Sequence, residues 1–204
     1  MRVVAATSNR HKIREIKDIL RPFGLEIISK GEAGADGFDI EEDGENFEEN
    51  SEKKARVIME AGGLAAIADD SGLLVDFLGG APGVYSARFA GVDGGDADAA
   101  NNRKLLALLR GVPAEKRAGR FVSVVTLVYP GGRALSASGV CEGRIGFEER
   151  GESGFGYDPL FIPVGFEKTF AELSEAEKNR ISHRGKALAA LAEMMSREKN
   201  PLPV

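Results

Sequence analysis

The chain has 204 residues, 43% hydrophobic and 29% charged, the make-up of a soluble globular protein of one domain or two closely joined lobes. A formal net charge of −5, from 27 basic and 32 acidic residues, argues against a nucleic-acid backbone as partner, and no apolar run approaches the ~20 residues that cross a bilayer. No N-terminal segment reads as a signal peptide, and a single cysteine, Cys141, excludes an internal disulfide framework, so a reducing, cytoplasmic setting is expected.

In chain order, Arg2–Ala6 is a short apolar run that predicts a strand, and Thr7-Ser8-Asn9 supplies good helix-capping residues. Ile13, Ile16, Ile19 and Leu20 then recur at helical spacing. Leu25–Ile28 predicts a second strand, and Gly31–Asn46, rich in glycine and acid, a loop. Phe47–Ala61 reads as a helix stopped by Gly62-Gly63, and Leu64–Ala68 as a strand that delivers Asp69-Asp70 to a turn at Ser71-Gly72. Ala97–Leu109 predicts a helix with Leu105, Leu106, Leu108 and Leu109 on its core face. Phe121–Tyr129 and Ala134–Cys141 predict a hairpin around Pro130-Gly131-Gly132, with Cys141 a small strand residue. Gly151–Gly156 is a glycine-dense loop leading into Tyr157–Ile162. Ser174-Glu175-Ala176-Glu177 fits a capping box, and a last helix starts near Ser182 with Leu188, Leu191 and Met195 inside. The order of elements is mixed α/β.

Four segments carry chemistry, and each has a plainer explanation beside it. Thr7, Ser8, Asn9, Arg10, His11 and Lys12 lie between a strand and a helix, where free N–H groups and a lysine bind anions; an ordinary cap with a solvated lysine accounts for the same residues. Asp69 and Asp70, with one acid of the loop that holds Glu41, Glu42 and Glu45, offer carboxylates to magnesium, which takes one or two such ligands besides water and substrate phosphates. A strand-end turn also favours Asp. Asp93–Asp98 resembles a calcium loop but puts Lys104 where the twelfth-position Glu belongs. The glycines around Phe155 open a flat stacking face for a base, with Asp158 as an acceptor, while a glycine turn around a core aromatic looks the same. Lys178, His183 and Arg184 gather cations and donors before the last helix, where Ser182 can also be a simple cap.

Together TSNRHK, ENSEKKA, ADDSGL with GGAPGVYSARFAG, FGYDPLF and EKNRISHRG occur in one order over nearly the whole chain. In these motifs the sequence resembles the inosine/xanthosine triphosphate pyrophosphatase family, with Ser51 standing where that family often has alanine. The resemblance implies an α/β fold: a single domain over residues 1–204 with a mixed, elongated central sheet flanked by helices, two lobes and a cleft between them. It implies magnesium-dependent hydrolysis of ITP, dITP and XTP to the monophosphate and pyrophosphate, by a homodimer with no nucleic-acid or membrane partner. By position, Thr7–Lys12, Lys54 and Ser71 would hold phosphates. Glu42 or Glu41 would join Asp70 at the metal with Asp69 nearby, and Asp70 would accept the proton. Phe155, Gly156, Tyr157, Asp158, Lys178, His183 and Arg184 would bind or read the base. A different magnesium-dependent nucleotide phosphohydrolase and a non-catalytic nucleotide-binding module remain open alternatives.

Overall fold

The computed structural model describes residues 1–38, 40–92, 94 and 96–199, so Asp93 of the rejected calcium loop lies outside the described residues. The strands are β1 (Arg2–Ala5), β2 (Glu26–Ile28), β3 (Ala65–Val75), β4 (Ala118–Val128), β5 (Ala134–Ile145) and β6 (Phe161–Pro163). The helices are α1 (Arg10–Leu20), α2 (Phe47–Gly62), α3 (Ala97–Leu108), α4 (Glu175–Ile181) and α5 (His183–Lys199). The strands form one six-stranded mixed sheet in the order β2-β1-β3-β4-β5-β6. β1 runs parallel to both β2 and β3, and β6 antiparallel to β5. β4 and β5 form the expected hairpin, closed by Tyr129 N–H donating to the Arg133 carbonyl at 2.8 Å.

The chain divides into two compact units, one of Met1–Asp70, Ser123–Gly139 and His183–Val204, the other of Ser71–Val122 and Val140–Ser182. In the first unit the sheet is buried on both faces. Val3, Ala5, Ala65 and Ile67 pack with Ile16 and Leu20 of α1 and Leu188 and Leu191 of α5, whereas Val4, Ala6, Ala66 and Ala68 pack with Ala55, Ile58 and Met59 of α2. Odd and even residues of a strand point to opposite faces, so these two clusters are the two sides of one pleated layer. Each of the larger apolar side chains contributes about 1.5–3 kcal/mol by leaving water. In the second unit Leu73, Val75, Leu105, Leu109 and the rings of Phe121, Phe161 and Phe170 share a core. The Phe121 and Phe161 rings meet edge-on, 4.7 Å between centroids.

Two expectations need correction. β3 does not stop at Ser71-Gly72 but continues to Val75, because it lies between β1 and β4 in the sheet and long-range pairing outweighs the local turn signal. Leu108 is 47% exposed, at the last helical position of α3, and of the four leucines only Leu105 and Leu109 are fully buried. Beyond the glycine-dense loop, strand begins at Phe161. The capping box at Ser174 forms as read, with Ser174 accepting from Glu177 N–H and the Glu177 carboxylate accepting from Ser174. Ser51, the departure from alanine, is buried and shares a hydrogen bond of 2.7 Å with Thr126 across from α2 to β4.

Candidate active site

The continuation of β3 decides the geometry of its acid pair. Residues 69 and 70 are consecutive in a strand, so their side chains emerge on opposite faces of the sheet. Asp70 falls on the face of α2. That helix buries Asn50, Ser51, Lys54, Ala55 and Ile58 along one stripe, and Lys54 arrives on it as the cation. Lys54 Nζ donates to Asp70 Oδ1 at 2.8 Å, to Glu42 Oε1 at 2.7 Å and to the Asp69 carbonyl at 3.0 Å. Of the two loop glutamates, then, Glu42 converges with Asp70, while Glu41 is exposed. The loop is drawn in by Asn50, whose Oδ1 accepts from Gly44 N–H at 2.8 Å and whose Nδ2 is buried with no hydrogen-bond partner among the described residues.

Asp69 falls on the other face, towards α1 and α5. Its Oδ1 accepts from Ser123 Oγ at 2.5 Å, and its Oδ2 faces Lys12 Nζ at 2.8 Å and Arg184 Nη2 at 3.0 Å. Arg184, 1% exposed, also pairs through Nη1 with Glu15. His183, beside it at the start of α5, is 3% exposed.

The two carboxyls are pushed in opposite directions. Burial raises Asp70; Lys54 opposes this and the nearby Glu42 charge adds to it, leaving the group above its ordinary range. Burial is also the largest influence on Asp69, yet Arg184 and Lys12 together override it and hold the carboxyl well below that range. Burial works to lower Lys54, but Asp70 and Glu42 outweigh it and raise the group above its ordinary value, so it stays an ammonium.

The segment Thr7–Lys12 forms the loop and first turn of α1, as read. Asn9 is the N-cap, and its Oδ1 accepts from His11 N–H at 2.9 Å and Lys12 N–H at 3.2 Å. Thr7 Oγ1 accepts from Asn9 N–H, and Ser8, Arg10 and His11 are exposed. The cap satisfies those two amides internally, so an anion at this helix start would meet side chains more than free N–H groups. Ser71, the residue after the acid pair, is half-buried.

In the second unit, the turn at Phe155–Asp158 is held by its own carboxylate. Asp158 Oδ2 accepts from Phe155 N–H at 2.9 Å and from Lys178 Nζ at 2.7 Å, and Lys178 Nζ lies 4.9 Å from the Phe155 ring centroid. Phe155 and Gly156 are half-buried, and Tyr157 is buried. Gly154 has φ +79°, and a Cβ there would run into Asp158 Oδ2; this glycine serves the turn itself rather than the approach of a ligand. Burial first, and then the Asp98 charge, push the Tyr157 phenol up, so it stays protonated and donates to the Ser86 carbonyl at 2.8 Å.

Sequence reasoning missed Ser123, Glu15, Asn50, Asp98 and Asn102. Ser123 had a signal, being a hydroxyl inside the apolar run of β4. The others are polar residues at ordinary helical positions.

Residues 3–194 match the Ham1 family. The chain belongs to that family. It is 51% identical over 198 residues to a dITP/XTP pyrophosphatase of Desulforamulus reducens, covering 97% of this chain and 96% of that one. It is 50% identical over 192 residues to the dITP/XTP pyrophosphatase of Haemophilus influenzae, covering 93% and 96%. The solved HAM1 protein of Coxiella burnetii superposes with a TM-score of 0.85 at 39% identity, over 97% of this chain and 99% of that one. Ham1 membership accounts for the fold, since the likeness to the solved relative extends along nearly the whole chain.

Proposed function

We propose that the chain hydrolyses non-standard purine nucleoside triphosphates (ITP, dITP and XTP) to the monophosphate and pyrophosphate with magnesium, removing them from the nucleotide pool. The observation that carries the reading is the separation of Asp69 and Asp70 onto two faces of β3. One is locked among cations and the other is left raised in pKa beside Glu42. Asp70 orients the attacking water at the α-phosphorus and takes its proton, for which a carboxylate raised by burial is better suited than one at its reference pKa of ~3.9. Lys12 and Lys54 offset charge on the leaving pyrophosphate, and Thr7–His11 and Ser71 add donors.

Glu42 and Asp70 fit magnesium as a hard-oxygen pair already converging on one cation, Lys54. Among the described residues no group of three or more His, Cys, Asp or Glu side chains forms a closed metal cage, which suits an ion that also takes substrate oxygens. The described ion pairs around the acid pair bring the carboxylates of Glu15, Glu42, Asp69 and Asp70 together with Lys12, Lys54 and Arg184. A triphosphate entering among those carboxylates needs added positive charge. Bound magnesium would supply it and make water more acidic.

Phe155 presents a face to the purine, with Lys178 on the ring and Asp158 holding the turn. His183 reads the 6-oxo group, which adenine lacks, and Arg184 holds Asp69 beside it. A donor left unmatched costs about 1–3 kcal/mol, so one such contact gives about a tenfold to hundredfold preference. The family resemblance carries a homodimer, which light scattering would register as twice the chain mass. No described helix is long and apolar enough to cross a membrane.

The test is product analysis on a nucleotide panel with magnesium. Pyrophosphate from ITP, dITP and XTP, with little from ATP or GTP, is expected. Orthophosphate as the first product points to a different phosphohydrolase, and binding of ITP without product points to a binding module.

A further inference from the structure

α3 carries two polar residues one helical turn apart, Asp98 and Asn102, which therefore lie on one face. Both reach the same residue of the aromatic turn. Asp98 Oδ2 accepts from Gly156 N–H at 2.7 Å, and Asn102 Nδ2 donates to the Gly156 carbonyl at 3.1 Å. Gly156 has φ +61° with open space where a Cβ would stand, so it is glycine for its backbone conformation. With Phe155 N–H held by Asp158, the peptide groups on both sides of Phe155 are anchored.

Asn102 is 2% exposed and its Oδ1 has no hydrogen-bond partner among the described residues. A half-satisfied buried amide is costly, and an apolar side chain would fill the place at lower cost if packing were all that mattered. The neighbouring Asn101 holds a second loop from the same helix. Its Oδ1 accepts from Ala90 N–H at 2.7 Å and its Nδ2 donates to the Ala87 carbonyl at 3.1 Å. Tyr157 ties the two loops together through Ser86. The glycine-rich segment up to Arg88 is thereby part of the mount for the aromatic turn.

We propose that Asp98 and Asn102 are positioning residues for base recognition: they grip Gly156 by both its peptide groups and so set the Phe155 face on which the purine stacks. This rests on the reading of Phe155 as the base platform. Neither residue touches the reacting phosphates, so the effect belongs in KM and in discrimination between bases rather than in kcat.

The experiment is steady-state kinetics with dITP and dGTP at saturating magnesium for Asp98→Ala, Asn102→Ala, Asp98→Asn and Phe155→Ala, with thermal melts of each. Asp98→Ala and Asn102→Ala should each raise KM for dITP about tenfold and narrow the dITP/dGTP ratio, with kcat within about twofold of the parent. Asp98→Asn keeps an accepting oxygen and should retain most of the affinity. Asp98 is exposed, so its variants carry the test even if Asn102→Ala folds poorly. If Phe155→Ala raises KM while both α3 alanine variants leave KM and the base ratio unchanged, the clamp is refuted and the platform stands. If Phe155→Ala itself leaves KM unchanged, the platform reading fails and the clamp with it. A fall in kcat at constant KM in the α3 variants also overturns the proposal.

Discussion

Replacing Asp69 by Asn keeps the shape of the side chain and removes its charge. The carboxylate lies 2.8 Å from Lys12 Nζ and 3.0 Å from Arg184 Nη2, and its side chain is fully buried. At an effective dielectric of about 20, each pair at such a separation has a gross attraction of about 6 kcal/mol, most of it offset by desolvation. The two cations respond differently to the loss. Lys12 has a 17% exposed side chain and can turn towards water, whereas that of Arg184 is 2% exposed and stays buried beside Glu15. Stranding a buried charge in this way costs about 3–5 kcal/mol, a large part of the 5–15 kcal/mol that is typical of a whole domain. Urea denaturation at pH 7 should show that loss. The pH dependence has a definite sign, because the folded-state pKa of Asp69 is depressed. Its stabilisation is complete above the unfolded value of ~3.9 and disappears as pH falls through the folded value. The gap between the parent and Asp69→Asn should therefore close in acid. A variant within about 1 kcal/mol of the parent at pH 7, or a gap that persists in acid, would refute the assignment of Asp69 as the anchor of this cluster.

Asp70→Asn should behave in the opposite way, losing about 10²–10⁴-fold in kcat with the fold intact. Burial raises the Asp70 pKa, so its own ionisation opposes folding above the unfolded pKa, and the amide, which leaves Lys54 with Glu42, should cost less stability at pH 7 than Asp69→Asn; near-parental turnover in this variant would sink its role as base. Asn50→Ala removes the bond that draws in Gly44 and the acidic loop, costing about 1 kcal/mol. It should raise the magnesium concentration for half-maximal rate, and an unchanged magnesium titration would dissociate the loop from the metal. A chelator should stop turnover and added magnesium restore it, whereas turnover that survives exhaustive chelation would remove the metal from the scheme.

Much of the fold was legible because it is locally encoded. The cap at Asn9, the stop at Gly63 with its φ of +63°, the capping box at Ser174 and the hairpin at Gly131-Gly132 are short-range features with their own residue signatures. The cluster around Asp69 and Asp70 was legible as single residues and not as a set of partners. Arg184 and Asp69 are 115 positions apart and Ser123 and Asp69 are 54 apart, so no spacing rule connects them. Asp98 carries a local signal only as the end of the rejected calcium loop and Asn102 carries none, because the turn they hold lies 58 and 54 positions away.

The misreading at Ser71-Gly72 had the largest consequence. A turn directly after the acid pair would let both carboxylates point the same way, towards one metal. A continuing strand cannot do that, since neighbours in it alternate between faces. The parallel register Val3↔Ala65, Val4↔Ala66 and Ala5↔Ile67 then fixes which acid goes where. Odd residues join the side of α1 and α5, where Lys12 and Arg184 wait, and even residues the side of α2, where Lys54 and Glu42 wait. A slip of one residue would send Asp70 to the guanidinium and Asp69 to the lysine, and would expose every alternate apolar side chain to the wrong helix. The hydrophobic alternation that builds the core of this unit is thus also what gives two identical, adjacent side chains opposite electrostatic environments.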